Sequence, residues 1–261
     1  FIVHHSPMNI LVPLKPILDP AGFTVNRRAQ QVFVNREAWI TNPADRCALE
    51  AALQLAESGG AHITVAAAGG EPADFALREG LALGAQRAIR LDLPGHDEAV
   101  LARALAKLAA RLGDLDLILL GNAGLDSGGN QVGPRLAEEL GWPFVGRARS
   151  LRATGSGVAA VQRRAGEWQE VETALPAVIT FSARALQPRL PNGGKLFTAF
   201  SRADAVIALS AADLGLSDAD LTPALALAGR VFPPEREPGR RREGTLAEMA
   251  AGLAADLRRT L

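Results

Sequence analysis

From Asn9 to about Leu140 the chain alternates short, wholly apolar runs with longer stretches of helical periodicity. Residues 10–14 (ILVPL), 63–68 (ITVAAA), 88–91 and 115–120 (LDLILL) have the near-continuous apolar character of strands covered on both faces of a parallel sheet. Helices are predicted between them. Asn42 as N-cap and Pro43 at the first helical position open one, and apolar residues recur at i, i+3 and i+4 through the stretch that follows. A second spans 72–83 and stops at Gly84, and a third spans 98–112 and stops at Gly113. Strand–helix alternation of this kind predicts right-handed crossovers and an α/β fold with a doubly wound, mostly parallel sheet. Residues 26–40, including Trp39, break the alternation and predict a β-hairpin or loop excursion.

Beyond Gly141 the pattern changes. Residues 158–164 (VAAVQRR) and 169–173 alternate apolar and polar positions around a turn at Gly166-Glu167, as two paired strands do. Residues 175–181 form another buried strand, and 188–194 (PRLPNGG) a turn-rich loop. A short strand at 205–209, a Pro/Arg-rich linker at 232–243 and an amphipathic helix at 245–259 complete the chain. The expected division is an α/β domain over 8–202 and a C-terminal helical arm over 203–261. Residues 1–7 (FIVHHSP) precede Met8 and read as a remnant of an added tag, so they are set aside.

Composition narrows the function classes. The 261 residues are 48% hydrophobic and 21% charged, which suits a packed globule and not a disordered chain. Lys+Arg and Asp+Glu number 28 each, and a net charge of +0 argues against nucleic acid or anionic lipid as the main partner. The basic run at 239–243 (GRRRE) reads as solvated linker. No apolar run reaches the roughly 18 residues that membrane insertion needs. The single cysteine, Cys47, excludes an internal disulfide framework and a multi-cysteine metal site, and its place in an apolar helix stripe predicts core packing. The expectation is a soluble, reduced, intracellular protein.

The densest local signal runs from Leu115 to Leu140. A buried strand ends at Gly121, a loop of small residues follows, and a helix opens near Gln131. Ligands of open parallel sheets bind beyond the carboxyl ends of the strands, and the free N–H groups of a helix start favour an anion there. Gly128, Gly129 and Gly133 let backbone approach a phosphate, and Asp126 can accept from a loop N–H or a ribose hydroxyl. The spacing is neither a dinucleotide fingerprint nor a Walker loop, and a tight crossover without ligand remains open. His62 and His96 have no partnered nucleophile, and no carboxylate pair or metal-ligand spacing emerges. A nucleotide-type pocket without acid–base machinery points to binding, regulation or electron transfer.

Several segments, in this order and spacing, resemble the beta subunit of electron transfer flavoproteins. They are Val12-Pro13-Leu14-Lys15, Asn42-Pro43-Ala44-Asp45 with the helix after it, and 77–85 (LREGLALGA). The loop from Leu115 to Gly133 with Asp126, Asn130 and Gln131, and 171–180 (VETALPAVIT), complete the set. The resemblance implies an adenine-nucleotide-binding type of fold, paired with an alpha subunit that holds most of the redox FAD. It implies AMP in this subunit, held by Pro13, Asn42, Pro43, Ala44, Asp45, Ala68 and the loop Gly121, Asn122, Asp126, Ser127, Gly128, Gly129, Asn130, Gln131 and Val132. It further implies a flavin-dependent dehydrogenase as electron donor and a quinone-linked or other oxidoreductase as acceptor, and the terminal helix behind its Pro/Arg-rich linker is expected to contact the partner subunit. Docking would use a Leu-Pro loop, here Leu190 and Pro191, with Leu196 as a second anchor. No catalytic residue and no metal is implied.

The sequence departs from the family pattern where Ala44 replaces an aromatic residue, Pro20 a tyrosine and Val132 a hydroxyl residue, and where Gly193-Gly194 replaces bulky residues. Two other readings stay open: an electron-bifurcating, NAD(H)-linked version with a second FAD in this subunit, and a stand-alone adenine-nucleotide sensor. The expected location is the bacterial cytoplasm, or the mitochondrial matrix for a eukaryotic source.

Overall fold

The computed structural model describes residues 7–93, 95–226, 228–229, 231–234, 239 and 241–260. The tag-like stretch, apart from Pro7, and part of the 232–243 linker lie outside the described residues. The first half of the chain contains β1 (Met8–Pro13), β2 (Pro16–Leu18), β3 (Phe23–Asn26), β4 (Gln31–Val34), β5 (Trp39–Thr41), α1 (Pro43–Gly59) and β6 (Ala61–Ala68). Then come α2 (Glu71–Leu83), β7 (Arg87–Asp92), α3 (Glu98–Leu112), β8 (Leu117–Gly121) and α4 (Val132–Leu140). The remainder is β9 (Phe144–Ala153), β10 (Val158–Arg164), β11 (Glu167–Thr173), β12 (Ala177–Phe181), α5 (Gly193–Ser201), β13 (Ile207–Ser210) and α6 (Leu246–Thr260).

Nine strands form one sheet in the order β11-β10-β9-β12-β8-β1-β6-β7-β13. All neighbours from β9 to β13 in that order are parallel, and the β9–β10–β11 edge is antiparallel. The apolar runs are explained by burial on both faces. Ile10 and Val12 pack towards α1 and α2, whereas Leu11 packs towards α3 and α4. Leu117 and Leu119 divide from Ile118 and Leu120 in the same way. Cys47 lies in the first of these cores, fully buried, with its Sγ 3.4 Å from the Leu186 carbonyl. The excursion expected around 26–40 is a pair of two-stranded sheets, β3 with β4 and β2 with β5.

Two elements go beyond the sequence expectation. β9 was not anticipated, and α5 occupies residues placed in or just after a turn-rich loop. Segment 207–210 of the C-terminal arm adds the last strand to the sheet beside β7. On α6 the apolar side chains Leu246, Leu253 and Leu257 are exposed. No helix among the described residues is long and apolar enough to cross a membrane.

The topology fixes where a ligand can sit. The chain runs β1, β6, β7 in one direction across the sheet and then returns to β8 on the other side of β1. The carboxyl ends of β1 and β8 therefore flank the point where winding reverses, the place where open α/β sheets leave a crevice.

Candidate functional site

A cavity of about 440 Å³ occupies that crevice. Its floor is the carboxyl end of β1 with the two residues after it (Pro13, Leu14, Lys15), β6 (Ala66, Ala67, Ala68) and β8 (Leu120, Gly121). Its walls are the starts of α1 (Asn42, Asp45), α3 (Asp97, Glu98) and α4 (Gln131, Val132). Three helix starts thus face one volume, and helix starts favour anions. Among the described residues no side chain caps α4: its N-cap residue, Gln131, makes no capping hydrogen bond, which leaves the first N–H groups open to a ligand.

One buried carboxylate ties the crevice together. Asp45 stands in the first turn of α1 and is 6% exposed. Its Oδ2 accepts from the Lys15 N–H just after β1, and its Oδ1 accepts from the Gly121 N–H ending β8, each at 2.8 Å. The approach is so close that a Cβ at position 121 would lie 2.2 Å from Asp45 Oδ1 and 2.9 Å from its backbone nitrogen, so only glycine fits there. Burial pushes the Asp45 pKa up to about 6, and the Lys15 and Asn42 groups and the Gly121 N–H restrain the rise. Asn42 does the same for the following loop: its Nδ2 donates to the Ala123 carbonyl at 3.0 Å and its Oδ1 accepts from the Leu125 N–H at 3.1 Å. Both side chains are spent on loop geometry, which presents the loop backbone and not these side chains to a ligand.

Of the residues singled out from sequence, Pro13, Asn42, Asp45, Ala68, Gly121, Asn122, Ser127, Gly129, Asn130, Gln131 and Val132 line the cavity. Pro43, Ala44, Asp126 and Gly128 do not. Ala44 is buried beneath Gly121, and Asp126 turns to Lys15, whose Nζ lies 2.8 Å from its Oδ1. That exposed pair leaves the ammonium at the cavity wall. Asn122 and Asn130 bridge the loop through a 2.8 Å side-chain bond, with Asn130 at a φ of 58°. Leu190 is 83% exposed, and Pro191 and Leu196 are half-buried on and beside α5. Asn192 caps α5 by accepting from the Gly194 and Lys195 N–H groups, and Phe197 and Phe200 of that helix are also exposed.

Sequence reasoning missed the contribution of α3 and of the arm. His96, Asp97, Glu98, Leu101, Leu105 and Leu225 all line the cavity. The available signal was topological: α3 follows the carboxyl end of β7, so its start had to stand on the ligand edge. Burial would raise the Asp97 pKa, but accepting from the Val100, Leu225, Ala224 and Ala99 N–H groups holds its carboxylate below the usual range. Its Oδ1 caps α3 and its Oδ2 accepts from Ala224 and Leu225 at 2.7 and 3.0 Å. Arg103 secures the same strap through the carbonyls of Asp220 and Thr222. Asp97→Ala is expected to lose about 1 kcal/mol from the cap alone. It should also free the strap and speed release of a cavity ligand severalfold, which nucleotide dissociation kinetics would read.

Residues 31–214 match the family model described as the electron transfer flavoprotein domain. The chain is 34% identical over 255 residues to the electron transfer flavoprotein subunit beta of Bacillus subtilis, covering 96% of this chain and 98% of that one. It is 38% identical over 178 residues to the protein of the same name in Syntrophomonas wolfei, covering 67% and 69%. It is 32% identical over 257 residues to the Protein FixA of Bradyrhizobium diazoefficiens, covering 93% and 87%.

Proposed function

The chain belongs to the electron transfer flavoprotein family as a beta subunit, and on that premise we propose that it pairs with an alpha subunit and holds an AMP in the crevice between β1 and β8. The single observation that carries the AMP assignment is the uncapped α4 start facing a cavity of nucleotide size at the winding-reversal point. The Gln131–Val132 end of that helix and the Lys15 ammonium would take the phosphate. The apolar floor of Ala66, Ala67 and Ala68 with Leu101 and Leu105 suits a base.

In this reading the FAD held mainly by the alpha subunit supplies the redox chemistry. This chain's side chains frame, orient and dock. Partial desolvation, with some help from Lys15, lowers the His96 pKa, although the ring itself stands exposed at the edge of the cavity. The exposed surface at Leu190 would meet a flavin-dependent dehydrogenase as donor, with a quinone-linked or other oxidoreductase accepting the electrons. Arg189 fixes the base of that surface by gripping Glu50 and Glu57 of α1.

The competing reading is a second FAD in this crevice, as a bifurcating, NAD(H)-linked complex requires. Co-expression with the alpha subunit, followed by counting flavin per heterodimer, separates the two. One FAD per heterodimer is the expected result; two would assign this crevice to flavin, and a stable chain that never pairs would point to a stand-alone nucleotide sensor.

A further inference from the structure

Among the described residues that line the crevice, Lys15 carries the one ammonium or guanidinium, and that ammonium is shared with Asp126. The His96 pKa lies below its ordinary value, so the ring is mostly neutral at pH 7. Three carboxylates line the same volume: Asp45, Asp97 and Glu98. Two of them are committed to backbone. Asp45 accepts from the Lys15 and Gly121 N–H groups, and Asp97 from N–H groups of α3 and of the strap. Glu98 is different. It is half-buried and, among the described residues, takes part in no ion pair.

Two elements fix where its charge stands. Glu98 is the first residue of α3, and the Asp97 cap holds that turn through the Ala99 and Val100 N–H groups at 3.0 and 2.9 Å. The side chain then crosses to the loop before α4, where a Cβ added at position 129 would fall on both carboxylate oxygens. Glycine at 129 is what lets a carboxylate lie on that backbone. Gly129 is two residues before Gln131, which places the carboxylate contact within about 7 Å of chain from the α4 start. An acidic residue in a first turn suits the dipole of its own helix. Here it also sets a full negative charge beside the anion-binding start of a neighbouring helix. The α4 start and Lys15 can offset one phosphate held directly on them. A second phosphate would find no further cation in the described lining and would share the volume with Glu98, and like charges at this range repel.

We infer that Glu98 is a specificity-determining residue, which restricts the crevice to a nucleoside monophosphate and rejects ligands that carry a diphosphate, ADP and FAD among them. The inference rests on the AMP assignment proposed above. It is tested by competition on the co-expressed heterodimer: isotope-labelled AMP is exchanged into the crevice and displaced by unlabelled AMP or ADP. For the wild type, ADP should compete about tenfold or more weakly than AMP. Glu98→Gln should narrow that ratio about fivefold or more, and Glu98→Lys should narrow it further. Glu98→Asp keeps the charge and should stay closer to wild type than Glu98→Gln. A role confined to stabilising α3 would instead lower the melting temperature and both affinities together and leave the ratio alone. An unchanged ratio in Glu98→Gln, or a wild type that binds ADP as tightly as AMP, overturns the inference and leaves the AMP assignment standing. A wild-type heterodimer that takes up no labelled AMP removes that assignment first, and this inference with it.

Discussion

Asp45→Ala is expected to lose about 3 kcal/mol of stability, the cost of leaving the buried Lys15 and Gly121 N–H groups without an acceptor. The same substitution should empty the crevice, because Asp45 is what joins the ends of β1 and β8 to the start of α1. Urea melts with nucleotide analysis would show both losses together. Asp45→Asn removes the titration, at the pH-independent cost of setting an amide N–H against one of the two backbone donors. Because burial raises the folded-state pKa from 3.8 to about 6, the folded protein binds this proton more tightly than the unfolded chain. The associated stability is fully present below about pH 4 and is lost as the pH rises through about 6, an amount of about 3 kcal/mol. The wild type should therefore compare best with Asp45→Asn at the acid end of the range and worst above pH 6. A difference between the two proteins that does not change from pH 4 to 7 would remove the assigned role.

Arg189→Ala is the second large effect, with an expected loss of about 3 kcal/mol, since removing one partner of a buried pair leaves the other uncompensated. Glu50 is 6% exposed and receives Arg189 Nε and Nη2, each at 2.9 Å, while Glu57 takes the outer edge of the guanidinium. Burial alone would raise the Glu50 pKa, but the Arg189 side-chain and backbone bonds outweigh it and hold the carboxyl below its ordinary value. A lowered acid contributes stability above its unfolded pKa and loses it as the pH falls through the folded one. The gap between wild type and Arg189→Ala should thus be widest near neutrality and close as the pH drops below about 4.5. In a domain of this size the neutral-pH loss corresponds to a melting shift of roughly 10 °C. Arg189 also precedes Leu190, so dehydrogenase docking should weaken alongside, and Arg189→Lys should recover the charge but not the fork.

The parallel half of the fold was legible because its strands are apolar on both faces and its helices end at glycines. α3 runs Glu98–Leu112 as the pattern predicted, and α1 begins at Pro43 with Asn42 in the N-cap position, although the Asn42 side chain bonds the 123–125 loop and does not cap the helix. β9 escaped for a physical reason. Its buried positions, Val145 and Ala148, are three apart because the Arg147 bulge lies between them, so the period-2 signal of a strand is lost. α5 escaped because Gly193 and Gly194 open it, although Asn192 followed by Leu196 and Phe200 was a usable cap-and-stripe signal. In the crevice, the loop from Gly121 to Val132 was readable as part of the cavity wall. Asp45 was named, but its bridge between two strand ends belongs to tertiary structure alone. Leu225 lies more than 90 positions beyond that loop, and no local pattern connects the two.

The most direct measurement is the identity of the adenine compound extracted from the purified heterodimer and its ratio to this chain. The assignment predicts one AMP per beta subunit, surviving gel filtration and lost in Asp45→Ala. A heterodimer that yields no adenine nucleotide beyond the single FAD of the alpha subunit, or a second FAD in place of AMP, would contradict it.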